Sequence, residues 1–434
     1  MAAITRRQCA GAEEDETSTW TRLREAAGTP WIRILAVLWF AQIGSELGFS
    51  FALPFQPLYI QELGVTDVGE AAIWAGLITG VFSVAMAIMG PVWGAVADRF
   101  GHKLMIQRAL FGASLVTSAA AFVQTPEQLL ALRVLHGLLT GVVTAIATLV
   151  TLTTPRQYLA SALGLLQSAM FVGISLGPAL GGAFADSYGL RSGFIVSGCV
   201  LFSIGLMVTF FVPSLPTTRQ TGASQKAMPG ARLLSREVII VLLLMAIVRF
   251  ANAAPQPILP FFVKDLLTTD ESVATMVGII LAGSGLVASG AAILCGRVVA
   301  RFGLRATLIG CMAFAMVISP FHSLVSTVWQ LLVLRLFASV AIGAAQPALQ
   351  TLLTELTPSG RRGAAFGLLT TTNALGGGGG PLMASFVAAG FGIPAVFTAI
   401  APVFGLGAWS VWSLKAPTVA PARQAADVEP RPTR

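Results

Sequence analysis

The chain alternates between long apolar stretches and short polar ones. A helix needs about 20 apolar residues to cross a hydrocarbon core that is about 30 Å thick. Twelve stretches meet this requirement, and we number them segments 1 to 12. Their approximate limits are 34–59, 72–96, 106–123, 129–153, 160–184, 193–212, 238–262, 273–296, 306–325, 329–352, 363–389 and 395–414. Strands are not expected, because no alternation of apolar and polar residues recurs over about ten residues. The pattern predicts an all-α membrane protein with twelve transmembrane helices.

Composition narrows the class of protein further. Charged residues make up 11% of the 434 residues and hydrophobic residues 55%, whereas an average soluble protein has about 25% charged residues. A soluble protein of this length could not cover its surface with so few charges. A cytosolic enzyme, a secreted scaffold and a disordered chain are therefore excluded.

The basic residues predict the orientation of the chain. Most of the 27 Lys and Arg residues fall on the two termini and on alternate loops, whereas the other loops are short and mostly acidic. Because loops rich in Lys and Arg stay in the cytoplasm, both termini are expected to be cytoplasmic. The net charge of +8 then reflects membrane orientation, and we expect no nucleic-acid partner.

The chain divides into five predicted regions. Residues 1–30 form a cytoplasmic N-terminal tail, and residues 415–434 form a disordered cytoplasmic tail. Residues 31–212 and 237–414 form two six-helix bundles, with the basic, proline-containing residues 213–236 as the linker. The four cysteines and three histidines lack the spacing of a metal site, so neither a metal nor another cofactor is expected.

The two predicted bundles repeat each other at an offset of 202 or 203 residues. The residues that match are mainly glycines, prolines and arginines that punctuate the segments. They include Gly94, Arg99 and Gly101 with Gly296, Arg301 and Gly303, Arg133 with Arg335, and Gly164, Gly173, Gly177 and Pro178 with Gly367, Gly376, Gly380 and Pro381. Parallel repeats of six helices, with a binding site near the midplane between them, are typical of one class of transporter. The repeat therefore favours a transporter over a purely structural bundle.

Three features carry a resemblance to a known family. Segment 2 ends in Gly94-Ala-Val-Ala-Asp98-Arg99-Phe-Gly101-His102-Lys103, which resembles the loop motif G-x-x-x-D-[RK]-x-G-[RK]-[RK] of the major facilitator superfamily, with His102 in place of a basic residue. Segment 5 resembles the antiporter motif of its drug/proton exporters through Gly164, Gly173, Gly177, Pro178 and Gly181. Arg133 resembles the segment 4 arginine of the same group. Over residues 31–414 the chain is similar to the twelve-span drug/proton antiporters.

The resemblance implies roles for these motifs. It implies that Asp98 and the residues around it lock the outward-facing state at the cytoplasmic end. It also implies that the segment 5 motif belongs to an exporter, and that Arg133 takes part in proton handling. Glycines on one face allow close helix approach, and Gly177-Pro178 permits a bend that could seal the cavity against proton leak. His136, one turn from Arg133, is a candidate for direct proton exchange.

Polar residues inside the segments mark a predicted cavity. A charge at the bilayer centre costs roughly 2.5–3.5 kcal/mol, so charged residues within segments are expected to face the protein interior. Four are recognised, namely Glu46, Arg133, Arg249 and Arg335. They lie on segments 1, 4, 7 and 10, which line the central cavity in this superfamily. The predicted cavity residues are Gln42, Glu46, Ser50, Arg249, Asn252, Gln256, Arg335, Gln346 and Gln350.

Glu46 admits two interpretations. It is the only carboxylate deep within a segment, so it is a candidate for carrying the coupling proton, together with Arg133 and His136, or for binding a cationic substrate. The repeat offset aligns it with Arg249, so the two residues could instead form a fixed ion pair. The resemblance does not decide between them, because the family does not require an acid at this position.

The favoured interpretation is a monomeric, multi-pass protein of the bacterial inner membrane. It exports amphipathic small molecules, such as drugs or antibiotics, in exchange for protons by alternating access. An exporter or facilitator of a metabolite or sugar is the alternative within the same fold. A membrane sensor or enzyme is the alternative from another class, but no HExxH and no GxxxxGK[ST] sequence occurs. We therefore expect no enzymatic activity.

Overall fold

The computed structural model describes residues 30–155, 158–213, 235–267, 272–357 and 362–413, and all regular secondary structure within these ranges is helical. The segments predicted from the sequence coincide with helices or pairs of helices. The predicted tails and the predicted linker lie outside the described residues, apart from residues 30, 213, 235 and 236.

Segments 1 to 6 make up the N-terminal half, residues 30–213. Their helices are Pro30–Ala52 and Gln56–Glu62 in segment 1, Val68–Phe100 in segment 2, His102–Ala119 in segment 3, Pro126–Leu139 and Val142–Thr153 in segment 4, Leu159–Tyr188 in segment 5 and Leu190–Phe211 in segment 6. A 3-10 turn, Leu53–Phe55, joins the two helices of segment 1. This change of helix type falls at Pro54 and Pro57, which lack the backbone N–H that a continuous helix uses.

Segments 7 to 12 make up the C-terminal half, residues 235–413. Their helices are Arg236–Ala253 and Leu259–Leu266 in segment 7, Val273–Phe302 in segment 8, Leu304–Phe321 in segment 9, Val328–Leu356 in segment 10, Arg362–Phe391 in segment 11 and Ile393–Ser413 in segment 12. Segments 3 and 9 both end in a short 3-10 turn, at Ala120–Phe122 and His322–Leu324.

Eleven of the described helical segments are long and apolar enough to cross a membrane, against twelve predicted. The difference is segment 7. It is interrupted between Ala253 and Leu259, where Pro255 and Pro257 lack a backbone N–H. Its longer helix has 18 residues and contains three charged residues, Arg236, Glu237 and Arg249. The molecule is a multi-pass membrane protein of helices.

The repeat is visible in the tight turns between helices. Gly101 and Gly303 end segments 2 and 8 with φ of +95° and +83°. Gly189 and Gly392 end segments 5 and 11 with φ of +84° and +85°. Glycine adopts these angles without the strain that a Cβ would add. The helix boundaries around these turns therefore recur at the offset read from the sequence.

Segments 5 and 11 connect the two halves. Segment 5 packs along segment 1 of its own half and along segment 8 of the other half. Segment 11 does the same with segments 7 and 2. We call the outer end the side of the molecule at which even-numbered segments begin, which the charge pattern predicts to be outside, and the inner end the opposite side. The contacts of segments 5 and 11 define the surroundings of the candidate site.

Candidate functional site

Glu46 lies near the middle of segment 1 and is half-buried. The Gln42 side-chain amide, one turn earlier, donates a hydrogen bond to the Glu46 carboxylate, with 3.0 Å between Nε2 and Oε1. The Ser50 hydroxyl, one turn later, lies 2.6 Å from the backbone carbonyl oxygen of Glu46 and 3.2 Å from that of Gly173 in segment 5. Gln42, Glu46 and Ser50 share a helix face, as the sequence predicts, and Ser50 links this face to segment 5.

The glycines of segment 5 allow segment 1 to approach closely. Gly173, Gly177 and Gly181 oppose, in order, Glu46, Ser50 and Phe51 of segment 1. A Cβ added at Gly173 would lie 2.5 Å from the Cβ of Glu46 and 2.6 Å from the carbonyl oxygen of Ile43. Side chains at these positions would push the helices apart, so the motif fixes the backbone of segment 1 around Glu46.

The same motif also meets the other half. Pro178 lies inside the helix of segment 5, and its carbonyl oxygen lies against Gly278 of segment 8. A Cβ added at Gly285 would lie 2.5 Å from the hydroxyl oxygen of Ser175. Segment 5 is thus held between segments 1 and 8 by small residues on both sides.

The crossing of segments 1 and 5 recurs in segments 7 and 11 with the opposite charge. A Cβ added at Gly376 would lie 2.6 Å from the carbonyl oxygen of Ala246 and 3.1 Å from the Cβ of Arg249. Arg249 therefore occupies the position that Glu46 has in the first repeat. Its side chain is exposed, and its charge acts on Glu46 in the other half. The guanidinium group accordingly faces the space between the halves.

Glu46 and Arg249 interact across this space without touching. Each lies within electrostatic range of the other. Within the part of the chain that the structure describes, neither side chain has a salt-bridge partner within 4.0 Å. The fixed ion pair considered from the sequence is not formed in this conformation.

The other predicted cavity residues differ in exposure. Gln256 and Gln350 are exposed, whereas Asn252 and Gln346 are half-buried. Arg335 is only 8% exposed, so it lies inside the C-terminal half rather than on an open wall. Among the described residues, no group of three or more His, Cys, Asp or Glu side chains is arranged to hold a metal ion.

Arg133 and His136 are packed together inside the N-terminal half, at 4% and 1% exposure. Arg133 Nη1 lies 3.2 Å from His136 Nδ1. Because a guanidinium has no acceptor, Arg133 donates this hydrogen bond and His136 accepts it. The imidazole lies between the rings of Phe49 and Phe82, with centroid distances of 5.5 Å and 5.4 Å. The two residues that the sequence places one turn apart are therefore in direct contact.

The segment 2 motif lies at the inner end. Gly101 makes the turn into segment 3, and the Arg99 guanidinium lies 5.4 Å from the centroid of the neighbouring aromatic ring. Lys103 Nζ donates a 2.9 Å hydrogen bond to a backbone carbonyl of segment 6. Gly94 faces open space, and the backbone of Asp98 is helical while its side chain lies outside the described part of the structure. The predicted latch to the other half stays a prediction.

The two halves touch near the outer end and separate towards the inner end. On segment 2, Gly76 and Gly80 pack against segment 11, with a Cβ at Gly80 only 2.7 Å from a side-chain carbon of Leu382. Gly90 and Gly94 lie further along the same helix face, yet no described atom lies within 4 Å of a Cβ added at either position. Contact along this face therefore ends part-way down the helix.

The second pair of helices diverges in the same way. Pro178 and Gly278 are in contact across segments 5 and 8. Gly164 and Gly296 lie on the continuation of the same faces, and within the described part of the chain no atom lies within 4 Å of a Cβ added at either position. Among the residues that the structure describes, the facing helices of the two halves are in contact at the outer end and apart at the inner end.

One cluster has no counterpart in the expectations from sequence. Arg108 is not among the four charged residues recognised within segments, although it lies in the helix of segment 3. Its guanidinium lies 3.4 Å from the centroid of the Trp93 ring and donates a 3.2 Å hydrogen bond to the carbonyl of Thr140. The Trp93 indole N–H donates a 2.6 Å hydrogen bond to the carbonyl of Leu138. These donors satisfy carbonyls where segment 4 is interrupted before Gly141. The sequence signal was an arginine inside the limits of segment 3.

Sequence comparison finds one matching protein family and similar individual relatives of this chain. The sequence profile of the Major Facilitator Superfamily matches residues 38–270 and again residues 241–433. The multidrug resistance protein MdtG of Rahnella sp. (strain Y9602) is 33% identical over 389 residues, which cover 89% of this chain and 94% of the relative.

Solved structures give the same architecture. A bacterial homologue of the human lysosomal transporter Spinster, in an inward-facing and unoccupied conformation, matches with a TM-score of 0.73 and 17% identity over 89% of this chain and 97% of its own. A D-xylose-proton symporter matches with a TM-score of 0.71 and 18% identity over 88% and 97%. At these identities the likeness concerns the fold alone.

Proposed function

The chain belongs to the Major Facilitator Superfamily, and we propose that this transporter exports amphipathic small molecules, including drugs and antibiotics, in exchange for protons. The relative that is 33% identical is named a multidrug resistance protein. The observation that carries the proposal is the position of Glu46. Its carboxylate lies midway along segment 1, where Gly173 of the antiporter-type motif packs against its Cβ and Arg249 acts on it from the other half.

The proposal includes the complete topology. Segment 7 acts as a twelfth span, because its two helices match those of segment 1 at the repeat offset. Two six-helix bundles, residues 31–212 and 237–414, then sit in a bacterial inner membrane with both termini in the cytoplasm. The open inner end of the molecule is the cytoplasmic entrance in this topology. A monomer suffices, since both bundles come from one chain.

Glu46 is proposed as the exchange site. One carboxylate holds either a proton or the cationic group of a substrate, so occupancy by one excludes the other. Gln42 orients the carboxylate through its hydrogen bond. Movement of the halves changes the distance between Arg249 and Glu46, and with it the electrostatic energy of the charged carboxylate. The same movement that opens and closes the cavity thereby changes how strongly Glu46 holds its proton.

Arg133 and His136 are proposed to act with Glu46. Phe49, which packs on the His136 ring, is three residues from Glu46 on segment 1. A shift of segment 1 therefore moves Phe49 relative to His136 and alters the packing around the buried pair of Arg133 and His136. The exposed or half-buried cavity residues offer hydrogen bonds to the substrate, and they are Ser50, Asn252, Gln256, Gln346 and Gln350.

The residues of the segment 2 motif are proposed to close the inner end in the outward-facing state. Among the described residues the helix faces at the inner end are apart, which supports a released latch in this conformation. The two states then alternate access to the same central site.

Transport into liposomes with an imposed pH gradient tests the proposal. The purified protein is offered a panel of lipophilic cations, antibiotics and sugars. We expect gradient-dependent flux of amphipathic drugs. Glu46→Gln is expected to abolish the gradient-dependent part and leave downhill flux, because the amide fills the same space without exchanging a proton. Glu70→Gln, at an exposed position in the first turn of segment 2, is the control and is expected to match the unaltered protein.

Two outcomes would contradict the proposal. Retention of full gradient dependence in Glu46→Gln would remove Glu46 from the exchange site. Flux of sugars alone, indifferent to the pH gradient, would favour a metabolite facilitator of the same fold.

A further inference from the structure

A carboxylate of the N-terminal half binds the beginning of a helix in the C-terminal half. Asp186 lies near the outer end of segment 5. Its Oδ1 accepts a hydrogen bond from the backbone N–H of Ala274 at 3.1 Å, and its Oδ2 accepts one from the N–H of Thr275 at 2.6 Å. Ala274 and Thr275 are the second and third residues of segment 8, whose helix begins at Val273.

These two N–H groups are the ones that a capping side chain normally binds. The first four N–H groups of a helix have no acceptor within the helix, and an acidic or polar side chain usually supplies one from the residue just before it. A negative charge is also favoured at this end of the helix dipole. Here the acceptor comes from the other half of the molecule. The contact therefore contributes only while the halves are together at the outer end.

The backbones around Asp186 are close enough to make this contact specific. Gly182, one turn earlier on segment 5, lies against the carbonyl oxygen of Ala274. Gly278 of segment 8 lies against the carbonyl oxygen of Pro178. The glycines set the spacing of the two helices, and Asp186 adds a directional bond at the edge of that contact.

We propose that Asp186 is an outer latch that holds the transporter in its inward-open conformation. For the outer end to open, segments 5 and 8 must separate, and both hydrogen bonds of Asp186 must break. The latch acts on the equilibrium between the two conformations and needs no substrate. It is independent of the segment 2 motif, which lies at the opposite end of the molecule.

The equivalent place in the second repeat has no such latch. Ala389 stands at the position of Asp186 in segment 11, and it packs beside Gly69 of segment 2, with 3.3 Å between its Cα and a Cβ added at Gly69. The helix of segment 2 is capped from within its own half, because Asp67 accepts a 2.7 Å hydrogen bond from the N–H of Glu70. The helix of segment 8 is therefore capped by a residue of the opposite half, whereas the helix of segment 2 is capped by a residue of its own half.

Distance measurement between spin labels tests the latch directly. After replacement of the four native cysteines by serine, labels are placed at Gln124→Cys and Ser326→Cys, two exposed positions in outer loops of opposite halves. The unaltered Asp186 protein is expected to favour the short distance. Asp186→Ala is expected to lower the ratio of short to long distances by about fivefold, as for a typical lost N-cap. Asp186→Asn is expected to lower it by roughly twofold, since the amide keeps one acceptor oxygen.

Asp67→Ala is the matched control. It removes a cap at the same end of the molecule but within one half, so it is expected to lower the thermal midpoint without changing the distance distribution. An unchanged distribution in Asp186→Ala, or an equal shift in Asp67→Ala, would overturn the proposal. Because the readout uses no substrate and no pH gradient, its failure is distinguishable from failure of the proposed transport function.

Discussion

The two central helix crossings share a backbone arrangement and differ in charge. In the first, Gly173 of segment 5 packs against the Cβ of Glu46. In the second, Gly376 of segment 11 packs against the Cβ of Arg249. The glycine allows the same close approach in both cases, whatever the charged side chain beyond the Cβ.

The residues four positions before and after the charged residue differ between the two crossings. Gln42 and Ser50 bind the carboxylate and the backbone around Glu46. At the repeat offset these positions hold Met245 and Ala253, whose side chains offer neither a hydroxyl nor an amide. The repeat therefore supplies the packing twice, whereas Gln42 and Ser50 have no polar counterparts at the equivalent positions. This difference supports a role for Glu46 that Arg249 does not share.

The largest effect is expected when the two charged residues, Glu46 and Arg249, are exchanged. If Glu46 and Arg249 serve only as an ion pair, Glu46→Arg combined with Arg249→Glu would restore what either single change removes. We expect no recovery of gradient-driven flux, because a carboxylate at residue 249 would lie beside Met245 and Ala253. Liposome flux under an imposed pH gradient measures the result. Thermal midpoints of the single and double variants check that all of them are folded, and recovery in the double variant would establish the ion-pair interpretation.

The two crossings also differ in how closely their small residues pack. Gly181 lies against the Phe51 backbone, whereas its equivalent in the second repeat is the fully buried Ala384. The first crossing is thus the tighter one. Gly181→Ala is expected to destabilise the protein by about 1–3 kcal/mol, because the helices must move apart to accommodate a Cβ. Thermal unfolding in detergent measures it.

Gly164→Ala is the control for this prediction. Gly164 belongs to the same motif and the same helix, but nothing lies within 4 Å of an added Cβ. Its replacement is expected to leave stability unchanged or to raise it by up to about 1 kcal/mol, because alanine favours a helix more than glycine does. Equal losses in the two variants would mean that the motif acts through helix flexibility rather than through the close contact with segment 1.

Part of this organisation follows from the sequence. Apolar length located the helices, and the offset of 202 or 203 located the repeated turns at Gly101 and Gly303. Periodicity also put Gln42, Glu46 and Ser50 on one face. Periodicity gives the direction of a side chain along its own helix, but it does not give the neighbour that covers it.

Several features depend on that neighbour. Phe49 and Phe82 pack on His136, the partner of the buried Arg133, whereas Arg249 is exposed and has the glycines of segment 11 against it. Asp186 finds its partners in the other half, 88 and 89 residues away in sequence. Such contacts depend on how the helices pack in three dimensions, and no local sequence pattern predicts them.

The smallest expected effect concerns segments 4 and 10, where the repeats differ in helix continuity. Segment 4 is interrupted before Gly141, with Trp93 and Arg108 binding the freed carbonyls, whereas segment 10 runs unbroken. At the repeat offset Trp93 and Arg108 become Cys295 and Gly310.

Trp93→Phe removes the indole N–H and keeps an aromatic ring beneath Arg108. The Leu138 carbonyl then loses its 2.6 Å hydrogen bond, which is expected to cost about 1 kcal/mol and lower the thermal midpoint. Trp409→Phe, at a position 64% exposed, removes an indole from the surface and is expected to leave the midpoint unchanged. If both variants behave alike, the interruption of segment 4 is set by Gly141 alone, and the donors from segments 2 and 3 only follow it.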